Sequence, residues 1–171
     1  MPAADHPVLR GHRILILGSP GSGKSTLAVK LHKRTGLPLI HLDNIWWQPD
    51  RTHITREEFD HRLADILSGE QWIIDGDYSR TYEVRVQACD TIIFLDYDED
   101  VCLSGITERI GKPRGDIPWT ENTQDPELVE EVIRYRRHQR PMIMELSRKY
   151  THKHWIFFKA RAQAEEWLLS L

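Results

Sequence analysis

The stretch from Arg13 to Ser25 constrains this chain more than any other. Ile14, Leu15, Ile16 and Leu17 form an unbroken apolar run, as expected of a strand buried on both faces. Gly18-Ser19-Pro20-Gly21-Ser22-Gly23-Lys24-Ser25 follows directly and matches the pattern G-x-x-x-x-G-K-[ST]. Residues 24–34 then carry helical character, and Gly36 with Pro38 stops them. A buried strand that enters a glycine-rich turn and leaves as a helix is a strongly restricted arrangement.

Its chemistry is that of a phosphate cradle. Glycines let backbone N–H groups curl around phosphate oxygens. The helix start directs its positive end at the same anion. Gly18, Pro20, Gly21, Ser22, Gly23, Lys24, Ser25 and Thr26 are therefore the candidate nucleotide contacts. Lys24 supplies a full charge on the β/γ side, and the Ser25 hydroxyl is a candidate Mg²⁺ ligand. ATP and Mg²⁺ are the expected cofactors.

The rest of the chain alternates in type. Residues 39–42, 72–74, 91–95 and 155–158 read as further strands, the fourth strand of the chain supported by Thr91-Ile92-Ile93. Thr55 opens a helix as a capping box with Glu58, and Phe59, Leu63, Ile66 and Leu67 form its apolar face. Residues 101–110 are helical. Pro126 fits the first position of a long helix reaching about residue 150, bent or broken near Pro141. Residues 160–169 close the chain as a helix. This alternation predicts a parallel sheet covered on both faces. A length of 171 residues with 40% hydrophobic content suits one compact domain spanning 1–171.

Composition excludes several classes. The net charge of −3 gives no support to nucleic acid as a partner, although a local basic patch stays open. The two cysteines, Cys89 and Cys102, form no CxxC pair and read as free core thiols in a reducing compartment. Residues 1–12 are polar, and no window approaches the ~20 apolar residues of a membrane helix. A cytoplasmic protein without membrane contact is the expectation.

Three aspartates stand at strand ends, where ligands of open α/β sheets bind. Asp96 follows Ile92-Ile93-Phe94-Leu95 and reads as a Walker B-type acid, orienting Mg²⁺ through water, or as a helix N-cap. Asp75, before Gly76, reads as a holder of Mg²⁺ waters or of substrate, or as a turn-former. Asp43 reads as the base that accepts a substrate hydroxyl proton, or as a cap. His41, within a strand, reads as structural.

Phosphoryl transfer also needs cations. Arg109, Lys112, Arg114, Arg134, Arg136, Arg137 and Arg140 cluster after Asp96. On a continuous helix from Pro126, at ~100° per residue, Arg136 and Arg140 share the inward face of Leu128, Val129, Val132 and Ile133, and Arg134 falls opposite. Arginines on an inward face need an anion, which favours Arg136 and Arg140 as catalytic beside Lys24 and Arg109. Residues 111–125, rich in glycine and proline, read as a short lid.

With these residues assembled, the chain resembles the adenylate-kinase-like P-loop proteins known as DNA topology modulation proteins. The resemblance rests on residues 18–26, His41-Leu42-Asp43 with Trp47 and Pro49, and Trp72-Ile73-Ile74-Asp75-Gly76 with Tyr78-Ser79. It continues through Arg85, residues 90–96, Tyr135-Arg136 and Arg140-Pro141. It implies a three-layer αβα P-loop NTPase fold of the nucleoside-monophosphate-kinase type, with a five-stranded parallel sheet. It further implies an acceptor site near Asp43, Asp75, Gly76 and Arg85, in an insertion at about 43–71, with Arg85 as an acceptor-side phosphate contact. The chain departs from the family at Asp77, where asparagine is usual, and at Gly105, where an arginine against adenine is frequent. The expected function is a kinase passing the ATP γ-phosphoryl group to a small molecule. The alternative is a nucleotide-dependent regulator that transfers nothing.

Overall fold

The computed structural model describes residues 6–171, so that of the polar N-terminus residues 1–5 lie outside the described residues. Five strands, β1 (Arg13–Gly18), β2 (Leu39–His41), β3 (Trp72–Asp75), β4 (Thr91–Leu95) and β5 (His154–Phe158), form one sheet in the order β2-β3-β1-β4-β5. Every pairing is parallel. Ile16 lies opposite Asp75 and Gly18 opposite Leu95, so the strand ends share one rim of the sheet. Among the described residues, no helix is long and apolar enough to cross a membrane.

Alternate side chains of β1 enter two cores. Ile14 and Ile16 pack with Leu27, Ala28 and Leu31 of α1 (Lys24–Thr35), Cys102 and Ile106 of α5 (Glu99–Glu108), and Trp167 of α8 (Arg161–Ser170). Leu15 and Leu17 pack with Phe59 and Leu63 of α3 (Arg56–Leu67), Tyr82 and Val86 of α4 (Tyr82–Ala88), and Ile143 of α7 (Gln139–Lys149). The result is the three-layer α/β arrangement expected of a strand buried on both faces. Both cysteines are free and buried.

Several helix ends follow the local rules. Thr55 accepts the Glu58 backbone N–H at 3.1 Å and caps α3. Asp125 accepts the Glu127 N–H at 2.9 Å, and Pro126 opens α6 (Pro126–Tyr135), where its missing donor costs nothing. Two short helices were absent from the sequence reading: α2 (Leu42–Trp46) and α4. In α4 the inward positions are Tyr82, Arg85 and Val86, so an arginine interrupts the apolar face. The expected long helix is two helices. The chain turns at residues 136–138, with the N–H groups of Arg137 and His138 returning to Arg134 O. Pro141 lies in the first turn of α7, so the break falls just ahead of it.

Candidate functional site

At the sheet rim, the loop after β1 closes with Ser22 N–H donating to Ser19 O at 3.0 Å. Gly21 and Gly23 have φ of 78° and 87°, a region costly for any residue with a Cβ. The first backbone bond of α1 is Leu27 N–H to Gly23 O, and Gly23 supplies no side-chain cap. The N–H groups of the first turn thus lack intrahelical partners, which suits an anion. Lys24 Nζ donates back to Ser19 O at 3.4 Å, and the Ser22 hydroxyl is buried without a partner. These features fit a polyphosphate.

The loop opens into a cleft of about 1340 Å³. Of the nucleotide candidates, Pro20, Gly21, Gly23, Lys24, Ser25 and Thr26 line it, while Gly18 and Ser22 lie behind. Asp43, Asp75 and Gly76 line it as well, so both strand-end carboxylates face the phosphate loop. Asp75 is buried and bonded to His41 Nδ1 at 2.7 Å. Burial works against a protonated His41, but the Asp75 carboxylate outweighs it and raises the imidazole pKa. Burial raises the carboxyl of Asp43, opposed by the Tyr78 hydroxyl, which donates to it at 2.6 Å. Tyr78 itself holds a left-handed backbone, φ 45°, which is strained for a non-glycine residue. Among the described residues, no group of three His, Cys, Asp or Glu is placed to hold a metal ion alone. An ion carried largely by phosphates and water needs no such cage.

Asp96 stands elsewhere. It lies at the end of β4, outside the cleft lining, with Arg140 Nε and Nη2 donating to its oxygens at 2.7 and 2.9 Å and Lys159 also bound to it. Burial pushes its carboxyl up, but these two cations outweigh that and hold it below the usual range. A carboxylate so engaged is an ion-pair hub, and it holds Arg140 with it apart from the cleft lining. Arg136 is also outside the lining: it donates to Tyr97 O at 3.2 Å and lies 3.6 Å from Asp98. Arg134, set aside on the helical projection, does line the cleft. The projection misplaced Arg134 because it counted Ile133 as inward, whereas Ile133 is 41% exposed and α6 turns Glu131 and Arg134 to the cleft. For Arg136 and Arg140 it failed because it ran one helix through the turn at 136–138.

Arg85 is the largest departure from expectation. It is fully buried and donates to Gly76 O at 3.0 Å, to Asp77 O, to Tyr78 O at 3.2 Å and to Thr81 Oγ1 at 3.0 Å. Its guanidinium holds the turn after β3 and is closed to a phosphate. Arg109 does line the cleft, with Nη2 donating to Glu121 at 3.2 Å.

Residues 111–125 form the far wall. Arg114 bridges Asp116 at 2.5 Å and Glu121 at 2.8 Å. Asn44 Nδ2 donates to Gly115 O at 2.7 Å, and Trp47 meets Trp119 edge-on at 5.6 Å. These contacts tie the segment to the chain that follows β2. Sequence reading also missed Arg161, which lines the cleft and donates to Gly21 O at 3.1 Å. Its position at the start of α8, far from any motif, offered no signal.

No protein-family model matches the sequence, and no curated protein matches it. The structure is similar to a solved shikimate kinase from Bacteroides thetaiotaomicron, with 21% identity, a TM-score of 0.61, and coverage of 94% of this chain and 96% of that one. It is also similar to a shikimate kinase from Acinetobacter baumannii solved in complex with shikimate, with 14% identity, a TM-score of 0.58, and coverage of 93% and 90%. At these identities the likeness is one of fold. The chain has the three-layer P-loop kinase-type fold with a five-stranded parallel sheet.

Proposed function

We propose that this chain transfers the γ-phosphoryl group of ATP to a hydroxyl group of a small molecule. The observation that carries the reading is the meeting of Lys24 and Ser25 with Asp43 and Asp75 across one cleft. Pro20 to Thr26 would hold the ATP phosphates, with Lys24 neutralising the transferring group. Ser25 and Asp75, in place of Asp96, would hold Mg²⁺, which supplies positive charge against the phosphate oxygens. Asp43 takes the proton of the acceptor hydroxyl. Burial raises its carboxyl pKa and makes it a better base than an exposed aspartate. Arg109 and the 111–125 wall exclude water from the reacting groups.

A second reading is a nucleotide-dependent regulator of the DNA topology modulation type. It takes support from the sequence resemblance and from Arg109 and Arg114, whose charges are matched by Glu121 and Asp116. The two readings separate in one assay: ADP release with Mg-ATP across a panel of small hydroxyl compounds, beside Lys24→Ala. The kinase reading expects at least one acceptor to stimulate release, with Lys24→Ala lower by roughly a hundredfold or more, the usual scale for a lost charge-stabilising donor. Tight ATP binding with no acceptor-stimulated release would favour the regulator.

A further inference from the structure

One residue of the turn after β3 is out of place on local grounds. Tyr78 holds φ 45° and ψ 59°, left-handed values that glycine or asparagine adopts at far less cost. The backbone gains nothing from a tyrosine there, so the use of the residue lies in its side chain.

That side chain is fixed from several directions. The Tyr78 carbonyl accepts the Arg85 guanidinium at 3.2 Å and the Thr81 N–H and hydroxyl, each at 2.8 Å. The ring stacks on Phe59 of α3 at 4.9 Å and meets Trp46 of α2 at 6.1 Å. The hydroxyl then donates to Asp43 Oδ1 at 2.6 Å. Burial, with the charge of Asp43, raises the pKa of this hydroxyl, so it stays a donor throughout the working range. Asp43 gains from such a hold. It stands in the first turn of α2, a helix of five residues, too short to be rigid alone. Among the described residues, Tyr78 is the one hydrogen-bond donor to its carboxylate, and Oδ2 has no partner. Asp43 and Tyr78 both line the cleft.

We infer that Tyr78 is the positioning residue for the base of the reaction: its hydroxyl occupies Oδ1 of Asp43, fixes the carboxylate, and leaves Oδ2 to take the acceptor proton. The inference rests on the phosphotransferase reading and deepens it. In the transfer, the acceptor oxygen forms a bond to the γ-phosphorus of ATP while the bond from that phosphorus to the bridging oxygen of ADP breaks. The hydroxyl proton passes to Asp43 Oδ2, and ADP leaves with the bonding pair. A carboxylate free to rotate would meet that proton in the productive geometry only part of the time.

The test is Tyr78→Phe in the full chain, which removes the hydroxyl and keeps the ring on Phe59. Turnover is read as ADP release from Mg-ATP with water as the accepting hydroxyl. At the high-pH plateau kcat should fall roughly tenfold, the scale of one hydrogen bond to a charged group, while KM for ATP holds. In an Asp43→Asn background the same change should cost less than about twofold, because the hydroxyl acts through the carboxylate. Carboxyl ¹³C titration, with the Asp43 signal assigned by its loss in Asp43→Asn, gives a readout that needs no turnover. Burial raises the Asp43 carboxyl and the Tyr78 hydroxyl opposes it, so the midpoint should move to higher pH in Tyr78→Phe. Lys24, His41, Asp75, Asp116 and Glu131 also face Asp43 electrostatically, and the substitution leaves all five in place. An unchanged kcat, an equal loss in both backgrounds, or an unmoved midpoint overturns the inference and leaves the phosphotransferase reading intact. If the midpoint moves as expected but the wild-type chain releases no ADP with water or with any hydroxyl compound, the hold of Tyr78 on Asp43 stands and the phosphotransferase reading fails.

Discussion

Arg85 spends its donors on the turn that follows β3, and one side chain thereby sets the geometry of half the cleft. The carbonyls of Gly76, Asp77 and Tyr78 all converge on it. Burial lowers its pKa, yet a guanidinium stays charged across the working range, so it serves as a fixed multi-donor clamp. Arg85→Lys keeps the charge and loses the planar fork. We expect it to destabilise the fold by about 2–3 kcal/mol in urea unfolding, from buried carbonyls left without donors, while ATP affinity changes little. Unchanged stability with a selective loss of acceptor affinity would instead show that Arg85 contacts ligand. An arginine between Tyr82 and Val86 carries no mark in the sequence that separates a clamp from a ligand contact.

Helix α5 reaches the phosphate loop only because two glycines meet there. A Cβ on Gly105 would lie 2.0 Å from Gly21 O, and a Cβ on Gly21 would lie 2.0 Å from Cys102 O. Both obstacles are backbone, so neither can step aside as a flexible side chain would. In an exposed helix, glycine to alanine gains up to about 1 kcal/mol of propensity. Here the clash decides the sign. Gly105→Ala should cost about 1–3 kcal/mol through overpacking and displace the loop, weakening ATP binding. Denaturant unfolding and nucleotide titration check it; a stabilised variant with unchanged ATP affinity would sink the close-approach account. The same contact explains the departure seen in the sequence. An arginine at 105 has no room to leave the helix toward the loop, and Arg161 reaches Gly21 O from α8 instead.

On the scale of the whole molecule, Asp96, the residue after β4, joins that strand to Arg140 at the start of α7 and to Lys159 just past β5. Its side chain is 3% exposed, so the pairs are only weakly screened from its side. The folded-state pKa is held below the unfolded value. Its contribution is therefore present above the ordinary aspartate pKa of about 3.9 and lost as pH falls through the folded value. Asp96→Asn should cost about 2–4 kcal/mol at neutral pH and flatten the loss of stability between about pH 5 and pH 2. Urea unfolding at a series of pH values tests this. An unchanged acid profile would mean that other carboxylates set it.

How much was legible before the fold was known varied with the range of the interactions involved. The phosphate loop, its flanking strand and helix, and the caps at Thr55 and Asp125 are local, set by residues within a few positions of one another. The parallel sheet follows from alternation of elements along the chain. The roles of Asp96, Arg85, Arg136 and Arg140 were not legible, because each depends on a partner brought near by folding. Asp96 and Arg140 are 44 residues apart and in direct contact. The helical projection that chose Arg136 over Arg134 assumed a continuous helix with Ile133 inward. The turn at 136–138 takes Arg136 and Arg140 off that face, while Ile133 is exposed and Arg134, ahead of the turn, lines the cleft.

By itself, then, the sequence determined that a strand–loop–helix phosphate cradle sits at the rim of a parallel sheet, with acidic residues at neighbouring strand ends. Backbone geometry and hydrophobic alternation are sufficient for that. Only the tertiary structure decided which carboxylates face the cradle and which cations remain to balance them. A buried charge takes the partner that desolvation leaves within reach, and that partner is chosen by the packing of distant elements.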